Sequence, residues 1–241
     1  GRAAAMSVSP DGNWIVTGSQ GIKVDGKDRY TVKVWNVQKV LNLKKTCEPT
    51  QEQPCNPEPA FELKGMTENG YRGHFSEVTA VAISSDGTLA LSGDVGGRVL
   101  LWDLKTQTVK FDLEGHSPRF KISSVAFLSD GKRAFSASFD KTVAQWDLTT
   151  GEEVKGAALE HDDVVTDLKV RKGDAQVVTT CRDGLVRVWN LASSGSPIAT
   201  LKVEGQPRAV SISDDGKRAV AAVVAVDPAG GTRNSLSVIG L

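Results

Sequence analysis

The only three histidines in the chain are His74, His116 and His161, and each is followed downstream by hydroxyl and carboxylate residues. A histidine with a serine and an aspartate has the composition of a nucleophilic triad, in which the imidazole takes the hydroxyl proton and the carboxylate orients the ring. Histidines are also common zinc ligands. Both chemistries need these groups to converge on one point, and their spacing argues against it. Each histidine stands 28 to 30 residues before its own tryptophan, Trp102, Trp146 and Trp189. A single active site has no use for three copies of its parts, and no close ligand spacing marks a metal site. The recurrence favours a structural role, and no metal or cofactor is expected.

The elements that position these residues repeat. Trp35, Trp102, Trp146 and Trp189 end equivalent segments, the last three 44 and 43 residues apart. Turn sequences agree: "SPDG" (9–12), "SSDG" (84–87), "LSDG" (128–131), "VRKGD" (170–174) and "SDDG" (213–216) recur, and from Gly87 through Gly131 and Gly173 to Gly216 the steps are 44, 42 and 43. Within a period the apolar residues alternate as in strands, for example "AVAIS" (80–84) and "SVAFL" (124–128) before an Asp-Gly turn. Three residues before the tryptophan position stand Val32, Val99, Val143, Val186 and Leu236. One residue before it stand Val34, Leu101, Gln145, Val188 and Val238, so Gln145 is a polar side chain in an apolar column. "KFDLEGH" (110–116) marks a fourth strand. Four short antiparallel strands per period describe one blade of a β-propeller, an all-β fold.

The order His, Asp-Gly turn, Asp, Trp-Asp resembles the Trp-Asp (WD) repeat propeller family over essentially the whole chain, and turn-rich stretches such as 130–153 are similar to its bacterial members. The resemblance implies a hydrogen-bond network in each blade: a His before the first strand, a Ser or Thr on the second, an Asp in the following turn and the Trp on the third. His116, Ser136, Asp140 and Trp146 match in full, as do His161, Thr179, Asp183 and Trp189. The copy with His74, Ser92 and Trp102 has Gly96 where the Asp belongs, so a weaker network is expected there. A buried indole N–H needs an acceptor, which the hydroxyl supplies.

Blades are expected at about 1–64, 73–114, 115–159, 160–204 and 205–241. The first and last copies form a separate type, without the leading histidine and with extra residues between second and third strands, "GIKVDGKDRY" (21–30) and "AVDPAGGTRN" (225–234). Ile239 replaces the last tryptophan. The chain holds five first-to-third strands but only four fourth strands, which points to five consecutive blades of a seven- or eight-bladed ring, with further blades or domains elsewhere in the same protein. A self-sufficient five-bladed ring is the alternative.

Lys+Arg and Asp+Glu are both 29, so the net charge is near zero, which argues against a nucleic-acid binder that works by broad phosphate neutralisation. The longest apolar run, "AVAAVVAV" (219–226), has eight residues, far short of the roughly 20 of a membrane helix; no membrane insertion is expected. Residues 38–59 form an insertion, expected as a Pro-rich loop. Its Cys47 and Cys55 could close as a disulfide in an oxidising compartment or stay free thiols in a cytosolic one, so the localisation is left open. Cys181 is expected to be an inert buried thiol.

The reading that results is a non-catalytic platform for protein–protein interaction. The resemblance places partner contacts just before the turn Asp and just after the His: Phe139, Arg182, Val95, Phe75, Arg119 and Asp162, with an exposed Phe139 beside Arg182 as an anchor. Two alternatives stand beside it. One is an extracytoplasmic structural or surface-assembly module. The other is an enzyme or small-ligand binder that uses the central channel, although the innermost strands offer mostly small and apolar side chains.

Overall fold

The computed structural model describes residues 3–24, 27–46, 58–63, 65–67, 70–71, 73–171, 173, 176–191, 195–213, 215–226 and 231–241. Five antiparallel sheets follow one another along the chain. Blade one pairs Ala3–Val8, Trp14–Ser19, Val32–Asn36 and Phe61–Leu63 in that order. Blade two runs Val78–Ile83, Leu89–Asp94, Val99–Asp103 and Thr108–Leu113. Blade three has Ile122–Phe127, Arg133–Ser138 and Thr142–Asp147, and blade four has Val165–Val170, Gln176–Cys181, Leu185–Asn190 and Ala199–Lys202. Blade five has three described strands, Gln206–Ile212, Arg218–Val226 and Thr232–Gly240. The fold is a partial propeller of five blades.

The first turns of blades one, two and five are set by their own side chains. Asp86 accepts from the Ser84 hydroxyl and the Thr88 N–H, while Gly87 takes a φ of 69° that a side chain would resist. Asp11 with Ser9 and Asp215 with Ser213 repeat this in blades one and five.

Strand alternation sends successive side chains to opposite faces of each sheet, and this divides the core into four seams. Trp102 and Leu100 face blade one, where they pack with Val32, Val34 and Leu63. Val99 and Leu101 face blade three and meet Ala144 and Trp146. Trp189 lies against Val143 and Leu159 of blade three, and Ile239 against Val186 and Val188 of blade four. In blades two to five the indole, or its replacement, therefore belongs to the seam with the preceding blade.

Three local features differ from the sequence expectation. Val37–Thr46 is an α-helix where a loop was expected. Asn36 Oδ1 accepts from the Lys39 N–H as an N-cap, Val37, Val40 and Leu41 have helical spacing, and the prolines begin only at Pro49. Residues 47–57 of the insertion, including Cys47 and Cys55, lie outside the described residues. The insertions in blades one and five are hairpins: Ile22–Val24 pairs Lys27–Arg29, and blade five's two strands pair out to Val226–Thr232. Finally, the fourth strand of blade three is split. Glu152–Glu153 pairs Trp146 and Asp147, Leu159–Glu160 pairs Thr142 and Val143, and the chain leaves the sheet opposite Ala144 and Gln145. The odd polar residue of the apolar column thus faces the break, with Val154 N–H bonded to its carbonyl.

Candidate functional site

The networks built on the histidines come first. In blade three Trp146 Nε1–H donates to Ser136 Oγ at 2.7 Å, and His116 Nε2 lies 2.7 Å from the same oxygen. His116 Nδ1 is 2.9 Å from Asp140 Oδ2. A carboxylate accepts only, so Nδ1 carries the hydrogen, and in the neutral ring Nε2 then accepts from the serine. Asp140 also takes the N–H groups of Ser117 and Thr142. Burial alone would raise its pKa, but the bonds from His116 and these donors outweigh it and hold the carboxyl well below the usual range.

Blade two closes the same network by another route, which corrects the expectation of a weakened one. Ser92 takes Trp102 Nε1–H at 2.7 Å and lies 2.6 Å from His74 Nε2. The carboxylate is Asp94, two positions before Gly96, with Oδ2 2.8 Å from His74 Nδ1 and Oδ1 accepting from Arg98 N–H. Burial works against its charge, and His74 with Arg98 N–H lowers its pKa nonetheless. Gly96 and Gly97 serve the neighbouring loop: a Cβ on Gly97 would come within 2.8 Å of the Ser117 carbonyl oxygen, and Arg119 N–H donates to the Gly96 carbonyl.

Blade four, a full match in sequence, departs from the pattern. Thr179 accepts from Trp189 Nε1–H at 2.9 Å and lies 2.8 Å from His161 Nε2. His161 Nδ1, however, donates to the Leu159 carbonyl, and Asp183 is turned to Arg187, with Nη2 2.7 Å from Oδ2. Arg187 Nη2 is also 3.3 Å from Asp162 Oδ2, and its Nη1 is enclosed without a partner. Burial together with the Arg187 charge depresses the His161 pKa to about 4. Blade one keeps only the indole bond, Trp35 Nε1–H to Thr17 Oγ1 at 2.9 Å.

This geometry answers the triad question in physical terms. Ser92, Ser136 and Thr179 are completely buried, and a lone pair of each takes an indole N–H. A substrate carbonyl could reach such an oxygen only by unpacking the blade. Cys181 is equally enclosed: it is buried, its Sγ–H points at the Asp163 carbonyl, and burial raises its pKa. Among the described residues no three His, Cys, Asp or Glu side chains gather as a metal would require.

The expected contact residues fall on one rim. Val95 N–H donates to the Glu77 carbonyl, Phe139 N–H to Lys121 and Arg182 N–H to Val164, the same bond on three successive blades. These bonds tie the residue before each turn to the residue before each first strand, so the three side chains line the inner edge of the arc. Phe139 is half-buried, not exposed as expected. Lys121 Nζ lies 5.5 Å and the Arg182 guanidinium 5.9 Å from its ring centroid, distances of cation–π contact. Phe75 is 68% exposed and carries Arg98 at 5.2 Å from its ring. Arg119 and Asp162 are exposed; Asp162 is held by Arg187 and, through its carbonyl, by Lys141 Nζ.

At the opposite end of the arc the innermost strands line an open hollow of about 510 Å³, with residues such as Met6, Val81, Val125, Phe127, Lys169 and Arg171. Its two cations are engaged, Lys169 with Asp167 and Arg171 with Gln176.

A belt of hydroxyls escaped the sequence reading. Thr79 Oγ1 donates to the Ile122 carbonyl at 2.6 Å, Ser123 Oγ to Val165 at 2.7 Å and Thr166 Oγ1 to Pro207 at 2.8 Å. Each bond joins the first strand of one blade to that of the next. The signal was available: Ser or Thr stands at one phase of three copies. Arg187 had a signal too, since a charge occupies the position of the buried Leu100 and Ala144.

Comparison with known proteins agrees with this geometry. The family model described as "WD domain, G-beta repeat" matches residues 3–36, 66–103, 107–147 and 155–190, more than half of the chain. Among solved structures, one titled "Structure of U3-55K" superimposes with a TM-score of 0.73 at 22% identity, a level that shows the fold alone. The alignment covers 99% of this chain and 61% of that one, so the chain spans about three fifths of that structure's length.

Proposed function

This chain belongs to the WD40-repeat family, whose propellers are generally non-enzymatic scaffolds for protein–protein interaction, and from that premise we propose that it is itself a non-catalytic docking platform that uses the rim of Val95, Phe139 and Arg182. The observation that carries this reading is the stacking of Lys121 and Arg182 on Phe139 across two blades. It combines an aromatic side chain with an arginine, types enriched at interface hot spots, on a scaffold held by four packed seams. Phe75 and Asp162 extend the surface on either side. The test is direct: identify the protein that co-purifies, then measure its affinity for the wild type and for Phe139→Ala and Arg182→Ala. A loss of about tenfold or more is expected for each, and unchanged affinity would remove the site.

The same proposal includes further blades, completing a seven- or eight-bladed ring. Leu236 and Val238 occupy the column that is buried in blade four, yet they are 72% and 68% exposed, against 1% and 7% for Val186 and Val188. Met6 and Val8 leave an equally open apolar column on blade one. Both are seam faces of the kind that neighbouring blades cover elsewhere in the arc. Protease mapping of the intact protein tests this: protection of the Thr232–Gly240 strand is expected, and rapid cleavage there would oppose it.

A further inference from the structure

The charge on the docking rim narrows the chemistry of its partner. Arg119, Lys121 and Arg182 stand around Phe120 and Phe139, and among the described residues none of the three forms an ion pair. Arg182 Nε is enclosed without a hydrogen-bond partner. Most of the carboxylates nearby are paired elsewhere, Asp94 with His74, Asp140 with His116, and Asp162 and Asp183 with Arg187; Asp163 accepts the Val164 N–H and keeps its charge. Glu77, at Lys121's phase on the neighbouring blade, bounds the patch toward blade two. The result is three unmatched cations beside exposed apolar surface from Phe75, Val95 and Phe120.

From this, and resting on the docking-face reading above, we propose that the rim receives an acidic peptide segment of a partner protein. Its carboxylates lie between Lys121 and Arg182 with Arg119 at the edge, and an apolar side chain of the same segment covers Phe120 and Val95. Carboxylates suit this arrangement because arginine presents a fork that matches them, and a partly desolvated cation gains most from a charged acceptor. Single-stranded nucleic acid is the competing anion, but it binds through bases stacked on open aromatic faces. Here Lys121 and Arg182 sit over Phe139 and Arg98 sits over Phe75, so these two rings support cations, and the open Phe120 alone is not a run of faces for successive bases.

The experiment pans a random-peptide phage library against the intact protein and against Phe139→Ala and the pair Lys121→Glu/Arg182→Glu, with circular dichroism showing that each variant is folded. The wild type is expected to enrich acidic peptides with an apolar residue. These peptides are expected to lose about tenfold or more in affinity on Phe139→Ala, to be rejected by the charge-reversed pair, and to weaken as salt is raised. Neutral or basic peptides that still depend on Phe139 would overturn the acidic partner and leave the docking face standing. Peptides indifferent to both variants, or no enrichment, would overturn both. Tighter binding of an oligothymidylate than of the selected peptides would overturn the peptide in favour of nucleic acid.

Discussion

Blades three and four both carry the histidine, hydroxyl, aspartate and tryptophan of the repeat, yet they settle their polar groups differently. In blade three Asp140 belongs to His116, and a continuous path of bonds joins indole, hydroxyl, imidazole and carboxylate. In blade four Arg187 enters the same space, takes Asp183 and leaves His161 to a backbone carbonyl. The neighbours of position 187 explain the difference. Leu100 and Ala144 fill the equivalent place in blades two and three with apolar atoms, whereas a buried guanidinium must be matched by a carboxylate. A network motif is therefore conditional on the column beside it, and the strongest local cation decides which base the aspartate serves.

The largest test of this contrast is Asp183→Ala. It leaves the buried Arg187 with only the exposed Asp162 as a partner and is expected to cost about 3–5 kcal/mol in denaturant unfolding, more than Asp140→Ala costs. Adding Arg187→Leu, which restores the residue type of blade two, should bring stability back to within about 1 kcal/mol of wild type. If Asp183→Ala proves the milder of the two aspartate changes, the ownership argued here is wrong.

Acid separates the blades next. His161 titrates near 4 in the folded protein against 6.5 unfolded, so as the pH falls below 6.5 the unfolded chain binds a proton that the folded chain refuses. Blade four should lose on the order of 3 kcal/mol between pH 6.5 and 4. Arg187, Asp183 and Asp162 face the ring, and the arginine is the charge that opposes protonation. An NMR titration of the His161 ring checks this, and protonation near 6.5 would refute it.

Asp140→Asn is expected to cost about 2 kcal/mol, because a neutral amide replaces a charged acceptor of several bonds. Its pKa lies below the usual carboxylate range, so this contribution persists above that range and fades only as the pH drops through the depressed value. The smallest effect concerns Gly96→Asp, which the repeat pattern alone would present as a repair. Its Cβ would stand 3.1 Å from Ser76 Oγ and 3.3 Å from Asp94 Oδ1. With the network already closed by Asp94, a loss of about 1 kcal/mol in thermal unfolding is expected, and a gain would contradict the assignment.

Much of the fold was legible because propeller geometry writes itself twice into a sequence, as a long period in the turns and a short one in the strands. The columns through Val99 and Leu101 and the Trp102 position were legible as apolar, and the structure packs them into the seams on either side of the blade. What escaped depends on reach rather than position. Asp94 serves His74 from two residues outside the motif, at the strand end where blades three and four carry Ser138 and Cys181, so what differs is the side chain and not the backbone, whose bulge recurs in all three blades. The helix at Val37–Thr46 was hidden by the prolines that follow it. The structure sets Arg182 of the neighbouring blade over Phe139, but the second cation on that ring, Lys121, comes from a loop position that carries no periodic mark.

The lodging of each indole in the seam before it gives the array a direction. Trp146 plugs blade two and Trp189 plugs blade three, so peeling from the C-terminal side draws a stopper from the sheet left behind at every step, whereas peeling from the N-terminal side bares the stopper itself. Mechanical unravelling of this protein should therefore differ in force with the end that is pulled.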